Sequence, residues 1–214
     1  LHDALPISTS YPKLLPAVGA ILLWYNHLMI TKNLLDTAVI EALRADKLVV
    51  APTDTIYGLL AQADSPRAVD ELYRVRQRDR TKSCIILLSS ADNIPELTTK
   101  QRYIYDQLYC ERPTTIAARV SPDFMPHLVR TDATLAFRAV PPDTALSELI
   151  RLVGPLLAPS ANPGEQLPAA TINEAIAYFG DQVAVYVDSG EVTGVVPSRI
   201  IKFTDDGQLV ALRQ

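Results

Sequence analysis

Cysteine is scarce in this chain, with only Cys84 and Cys110 among 214 residues. Two cysteines are too few for a disulfide framework or for a zinc site built from paired CxxC motifs. A reducing, cytoplasmic setting is the simplest expectation. The three histidines, His2, His27 and His127, fall in no metal-ligand pattern, and no Ser-His-Asp order is evident. Glycine is sparse as well, eight residues, and none is arranged as GxxxxGKS/T or GxGxxG, which excludes a P-loop and the dinucleotide fingerprint. Positive charge is not in excess. A net charge of -4 and a pI near 5.4 argue against coating nucleic acid by general basicity, and leave room for a local basic patch. Long apolar runs are missing too: Leu14 to Tyr25 is interrupted by Pro16 and Gly19 and is too short to span a bilayer. Residues 1–30 therefore read as an extension of unknown role outside a folded domain at 31–214, with no stable membrane association expected.

What is present describes an ordinary globular chain, 48% hydrophobic and 21% charged, of a length that suits one domain. Leu34, Leu35, Ala38, Val39, Ala42 and Leu43 recur at helical spacing, with Thr31 or Asn33 as the expected cap. Leu48 to Ala51 reads as a buried strand. Ser65-Pro66 is a helix start, a capping serine followed by proline at the first helical position. Further helices are expected at Gln101 to Cys110, Asp143 to Val153 and Ile172 to Phe179. Strands are expected at Cys84 to Ser89, Thr115 to Val120, Thr134 to Arg138, Leu156 to Ala158, Val183 to Val187, Arg199 to Phe203 and Leu209 to Leu212. This alternation lacks strict βαβ order, so the fold class is α/β with a single twisted mixed sheet and flanking helices.

Chemistry concentrates in a few segments. Arg74, Arg76, Arg78, Arg80 and Lys82 crowd nine residues, interrupted by Asp79 alone among the acids. Such crowding is costly unless water, a helix end or a bound anion offsets it. A solvated helix end and an anion site stand at even odds on charge alone. The strand that follows favours the anion, because basic groups at a helix-to-strand junction reach ligands at a sheet edge. Pro52 to Leu59 (PTDTIYGL) follows a strand end, with Thr53 and Thr55 offering hydroxyls and Gly58 permitting close backbone approach. Pro159-Ser160-Ala161-Asn162 repeats that design, although a turn bonded only to its own backbone explains it in isolation. Arg138, at the end of TLAFR, is suited to clamp a carboxylate at two points. Nothing here is a covalent nucleophile, so any catalysis rests on binding, orientation and charge stabilisation.

Taken in order, PTDTIYGL, RxRxxxK across Arg76, Arg78 and Lys82, PTT at Pro113 to Thr115, TLAFR, APSAN, FGD at Phe179 to Asp181, Asp188 to Gly190, PSRII and the final LRQ resemble one family. The chain, from about Asn33 to Gln214, looks like a threonylcarbamoyl-AMP synthase of the YrdC/TsaC type in its short form. That resemblance implies a YrdC-like catalytic domain with a positively lined cleft. It implies a reaction joining L-threonine, bicarbonate or CO2, and ATP into threonylcarbamoyl-adenylate and pyrophosphate. A separate transfer complex would then modify an adenosine of tRNAs. Carried over motif by motif, Thr55, Arg138, Ser198 and the backbone around Ala158 would hold threonine. Arg78, Lys82, Thr134, Ser160 and Arg213 would hold ATP, with Asn162 shaping that loop. Arg78, Lys82 and Arg138 would carry the catalysis, and Mg2+ would arrive with the triphosphate rather than on a protein site.

The chain departs from the family at several points. Asp79 stands where proline is usual, Ser83 where proline or glycine is common, and Gly164 replaces a serine. Two other readings stay open on the residues alone. One is a non-catalytic module binding double-stranded RNA or tRNA, whose affinity would fall steeply with salt. The other is a carbamoyl-transfer domain of the hydrogenase-maturation type, which would bring CxxC zinc motifs absent here.

Overall fold

The computed structural model describes residues 28–193 and 197–213. Its ten strands are β1 (Met29–Thr31), β2 (Val49–Pro52), β3 (Tyr57–Gln62), β4 (Ile85–Leu88), β5 (Thr114–Arg119), β6 (Thr134–Ala139), β7 (Leu156–Leu157), β8 (Val185–Val187), β9 (Arg199–Phe203) and β10 (Leu209–Arg213). They form one sheet in the order β1-β8-β2-β3-β7-β4-β6-β5-β9-β10. Four neighbouring pairs are parallel, β1/β8, β2/β8, β4/β6 and β5/β9, and the rest antiparallel. The sheet is therefore mixed, as the irregular alternation of elements led one to expect.

Among the described residues five α-helices flank it: α1 (Thr37–Arg44), α2 (Pro66–Val75), α3 (Thr99–Glu111), α4 (Ala145–Val153) and α5 (Ile172–Phe179). Successive strand residues point to opposite faces, and this divides the apolar side chains into two cores. Val50, Leu59, Ile86, Phe137 and Tyr186 pack with Leu72 of α2, Tyr105 of α3 and Phe179 of α5. Val49, Leu60, Leu87 and Val185 pack on the other face with Val39 and Leu43 of α1 and Leu149 and Ile150 of α4. Burying a side chain of this size contributes about 1.5–3 kcal/mol, so the central strands, apolar on both faces, anchor the molecule.

The helix starts have local causes. Ser65 accepts from Ala68 N at 3.2 Å with Pro66 at the first position. Thr98 with Gln101 and Thr171 with Glu174 each form a reciprocal capping box. The cap of α1 is Asp36, not Thr31 or Asn33. Asp36 Oδ1 accepts from Ala38 N at 3.0 Å, while Thr31 donates to Oδ2 at 2.9 Å. The Ala38 bond, then the Thr31 bond, holds the Asp36 carboxyl below its ordinary pKa. Asp36 directly precedes Thr37, the first helical residue, whereas a threonine at residue 31 sits too early.

Two strands differ from the reading of the sequence. β3 covers Tyr57–Gln62, a segment taken above for a turn and its glycine. β1 takes Met29 and Ile30 into the sheet against Val185 and Tyr186, so the boundary drawn after residue 30 falls inside a strand. Residues 1–27, with the apolar run from Leu14 to Tyr25, lie outside the described residues. No described helix is long and apolar enough to cross a membrane.

Candidate active site

The short strand β7 sits between β3 and β4, and a cleft of about 430 Å3 opens where β7 ends. One wall is the β2–β3 hairpin. Thr53 N donates to Ile56 O at 3.0 Å, and the Thr53 hydroxyl donates to the same carbonyl at 2.7 Å. That closure brings the Thr55 hydroxyl to 3.2 Å from Thr53 Oγ1. The opposite wall is the loop after β7, which continues the pairing of β3: Leu59 N donates to Pro159 O at 2.9 Å and Ala161 N to Tyr57 O at 2.8 Å. Gly58 permits this approach, because a Cβ there would lie 2.9 Å from Thr53 Cγ2 and 3.4 Å from Pro159 O.

The five clustered basic residues separate in direction. Arg74 pairs with Glu71, and Arg80 pairs with Asp70 while lying 5.4 Å over the Tyr73 ring. Arg76 turns inward and is 1% exposed. Its Nε donates to Asn162 O at 2.9 Å, and its Nη2 donates to Asn162 Oδ1 at 3.1 Å and Ser160 Oγ at 3.2 Å. Burial, reinforced by the charge of Arg78, pushes the Arg76 guanidinium down to about 10. Arg78 alone of the five lines the cleft, steadied by Nη2 donating to Ser83 O at 2.9 Å. Asp79 does not oppose it, since Asp79 Oδ1 is engaged by Thr81 N at 2.8 Å.

Arg138 reaches the cleft from the far end of β6. Strand alternation commits Leu135 and Phe137 to one core and sends Arg138 to the other side. The Tyr105 hydroxyl fixes that strand end, accepting from Ala139 N at 3.0 Å and donating to Thr114 O at 2.8 Å. Arg138 is 3% exposed, and its Nη2 lies 2.9 Å from Asp54 Oδ1 in a buried ion pair. Asp54 Oδ1 is nonetheless out of line for a hydrogen bond, and Arg138 Nε is buried with no partner among the described residues. Tyr109 donates to the other oxygen, Asp54 Oδ2, at 2.8 Å. Burial first, then the Asp54 charge, raises the Tyr109 phenol far above its ordinary pKa, so it stays a donor.

Of the residues expected at the site, Thr55, Arg78, Arg138, Ala158, Ser160, Ser198 and Arg213 all line this one cleft. Ser198 is held by Thr115 at 3.1 Å and by Arg213, whose Nη2 donates to Ser198 O at 2.7 Å. Three expected residues, Thr134, Lys82 and Asn162, are not among those lining it. Thr134 starts β6, four residues and about 13 Å of strand before Arg138, and its hydroxyl closes a turn onto Thr131 O at 2.6 Å. Lys82 is exposed and does not line the cleft. The turn begun by Asp79 presents its carbonyl inward, to the Tyr73 hydroxyl at 2.7 Å, and its side chain outward. Asn162 is buried and acts on the loop, with Nδ2 donating to Gln166 O at 2.7 Å. Sequence reasoning missed Asp54, Tyr109 and Thr115 as members of the site. Asp54 stands between two threonines in PTDT, and its charge was the available signal.

Among the described residues no carboxylate lines the cleft, while Arg78, Arg138 (balanced from behind by Asp54) and Arg213 do. Three cations facing a shared space attract anions. A larger cleft of about 870 Å3 beside α2 lacks this asymmetry, because Lys47, Arg67 and Arg74 there face Asp46, Asp70, Glu71 and Asp181. Among the described residues no group of three or more His, Cys, Asp or Glu is placed to hold a metal ion.

A threonylcarbamoyl-AMP synthase of Photorhabdus laumondii is 31% identical over 169 residues, covering 73% of this chain and 85% of that protein. The crystal structure of P. abyssi Sua5 complexed with L-threonine superposes with a TM-score of 0.73 at 24% identity, over 87% of this chain and 56% of that one. This chain thus spans little more than half of the Sua5 chain. E. coli YciO gives a TM-score of 0.67 at 19% identity, covering 87% of this chain and 93% of its own. The model of the Sua5_yciO_yrdC family, described as telomere recombination, matches residues 41–214, and the chain belongs to that family.

Proposed function

We propose that this protein is an L-threonylcarbamoyladenylate synthase, joining L-threonine, bicarbonate or CO2, and magnesium-bound ATP into threonylcarbamoyl-AMP and pyrophosphate. The observation that carries this reading is Arg138. It is a buried guanidinium at a cleft wall, charge-balanced by Asp54, with its Nε lacking a partner among the described residues and its Nη2 approaching Asp54 Oδ1 out of line. A desolvated guanidinium in that state calls for a planar anionic acceptor, and a carboxylate fits it at two points. The Photorhabdus relative bears the name of this activity, and the Sua5 neighbour was crystallised with L-threonine.

Arg138 would clamp the threonine carboxylate while Thr55 and Ser198 orient its polar groups beside the Ala158 backbone. The neutral amine attacks the carbon of CO2 and loses a proton, forming a carbamate. A carbamate oxygen then attacks the α-phosphorus in line, and pyrophosphate leaves. Arg78 and Arg213 would stabilise the charge that grows on the leaving group, with Ser160 positioning the phosphates. Magnesium enters with the nucleotide as part of the substrate. The product would pass to a transfer complex acting on tRNA. Pyrophosphate release is to be measured with threonine and bicarbonate each present or omitted, with mass analysis of the adenylate. Release that is indifferent to threonine would end this reading.

A further inference from the structure

The Arg138–Asp54 pair is joined by a third group, the Tyr109 hydroxyl, from a helix on the far side of the cleft wall. We infer that Tyr109 is a positioning residue that keeps the Arg138 clamp open for the amino-acid carboxylate. The inference rests on the threonine-binding reading above.

An arginine beside a carboxylate normally settles into a two-point fork, which is the stronger arrangement. Here that fork does not form. Asp54 Oδ2 is taken by Tyr109 at 2.8 Å, and Oδ1 approaches Arg138 Nη2 at 2.9 Å out of line. Asp54 therefore neutralises the buried guanidinium without consuming its N–H groups. Were Oδ2 released, rotation about the carboxylate bond would let both oxygens face Arg138. Asp54 would then compete directly with the substrate carboxylate for the same donors. Tyr109 is well placed to prevent this. Its helix is anchored by Tyr105, whose ring stands 6.0 Å from that of Tyr109 and whose hydroxyl bonds the backbone next to Arg138. The phenol remains protonated through the neutral range because burial and the Asp54 charge both oppose its ionisation.

The test is Tyr109→Phe, which removes one oxygen and keeps the ring. Calorimetric titration with L-threonine should show affinity falling about tenfold, and the KM for threonine should rise with kcat and the KM for ATP little changed. L-threoninamide, which lacks the carboxylate, should bind the variant and the wild type alike, and the melting temperature should hold. Threonine affinity equal to wild type would overturn the inference while leaving the proposed function intact. Equal losses for threonine, threoninamide and ATP, or a lowered melting temperature, would make Tyr109 a packing residue and also overturn it. A wild-type protein that binds no threonine would remove the proposed function and this inference together.

Discussion

Arg76 and Asn162, 86 residues apart in the chain, are joined by two hydrogen bonds, from Nε to the Asn162 carbonyl at 2.9 Å and from Nη2 to its side-chain oxygen at 3.1 Å. The contact welds the end of α2 to the loop that forms one wall of the cleft. Arg76→Leu should cost about 1–3 kcal/mol, the scale for leaving buried acceptors unpaired, read as a fall in the urea midpoint. It should also weaken ATP binding, because Ser160 loses the donor that holds its hydroxyl. Unchanged stability would show that the loop holds its own shape.

Arg138 and Asp54 are both buried, so Arg138→Ala would strand a carboxylate and confuse folding with binding. Arg138→Lys is the cleaner variant. An ammonium still balances Asp54 but cannot reproduce the planar two-point contact. Threonine affinity should fall at least about tenfold, or about 1.4 kcal/mol, with ATP affinity and melting temperature nearly kept. Calorimetry with each ligand separates these effects.

Arg78 and Lys82 should differ sharply. Arg78 lines the cleft and Lys82 faces solvent. Arg78→Ala should slow pyrophosphate release about a hundred- to thousandfold, about 2.7–4 kcal/mol for a donor aimed at developing charge. Lys82→Ala should cost less than about 1 kcal/mol, the range of an exposed charge. Equal losses in the two variants would show that the 79–82 turn closes over the nucleotide.

Alkaline pH should unfold the protein. The Tyr105 and Tyr186 phenols are fully buried and raised well above their ordinary value of 10, in both cases chiefly by burial. Their folded pKa lies above the unfolded one, so the stability they contribute is complete below pH 10 and is lost as pH climbs beyond it. Tyr105 alone removes about 1.36 kcal/mol per pH unit there. The lowered Arg76 has the opposite sign, gaining stability as pH rises from about 10 toward its ordinary value, but one guanidinium does not offset two phenols. A pH series of urea midpoints checks the slope.

The helices and most strands were legible because their signals are local: a serine before a proline, an apolar period, a glycine stop. Helix α5 runs Ile172–Phe179, the span its apolar period marks. β3 was not legible. Five of its six residues are buried, so no polar alternation betrays it, and Gly58 at its second position mimics a turn. β1 is three residues long and half exposed, with nothing to distinguish it from a linker. At the site, Thr55, Arg78, Arg138, Ser160, Ser198 and Arg213 came from motifs occurring in a familiar order, not from spacing. Direction was hidden throughout. Charge patterning could not say that Arg76 turns inward and Lys82 outward, nor that an acid 84 residues away from Arg138 would be its partner.

Among the described residues β7, only two residues long, is the strand that joins β1, β8, β2 and β3 to β4, β6, β5, β9 and β10. Leu157 pairs with Ala61 on one side and with Ile86 on the other, and Leu156 with Gln62 and Leu87. The sheet is thus two plates riveted along a narrow seam, and the cleft straddles the rivet. Thr55 belongs to one plate; Arg78 and Arg138 belong to the other. A substrate gripped by both becomes a splice across this seam, and backbone amides along β3 and β4 should exchange with deuterium more slowly when it is bound.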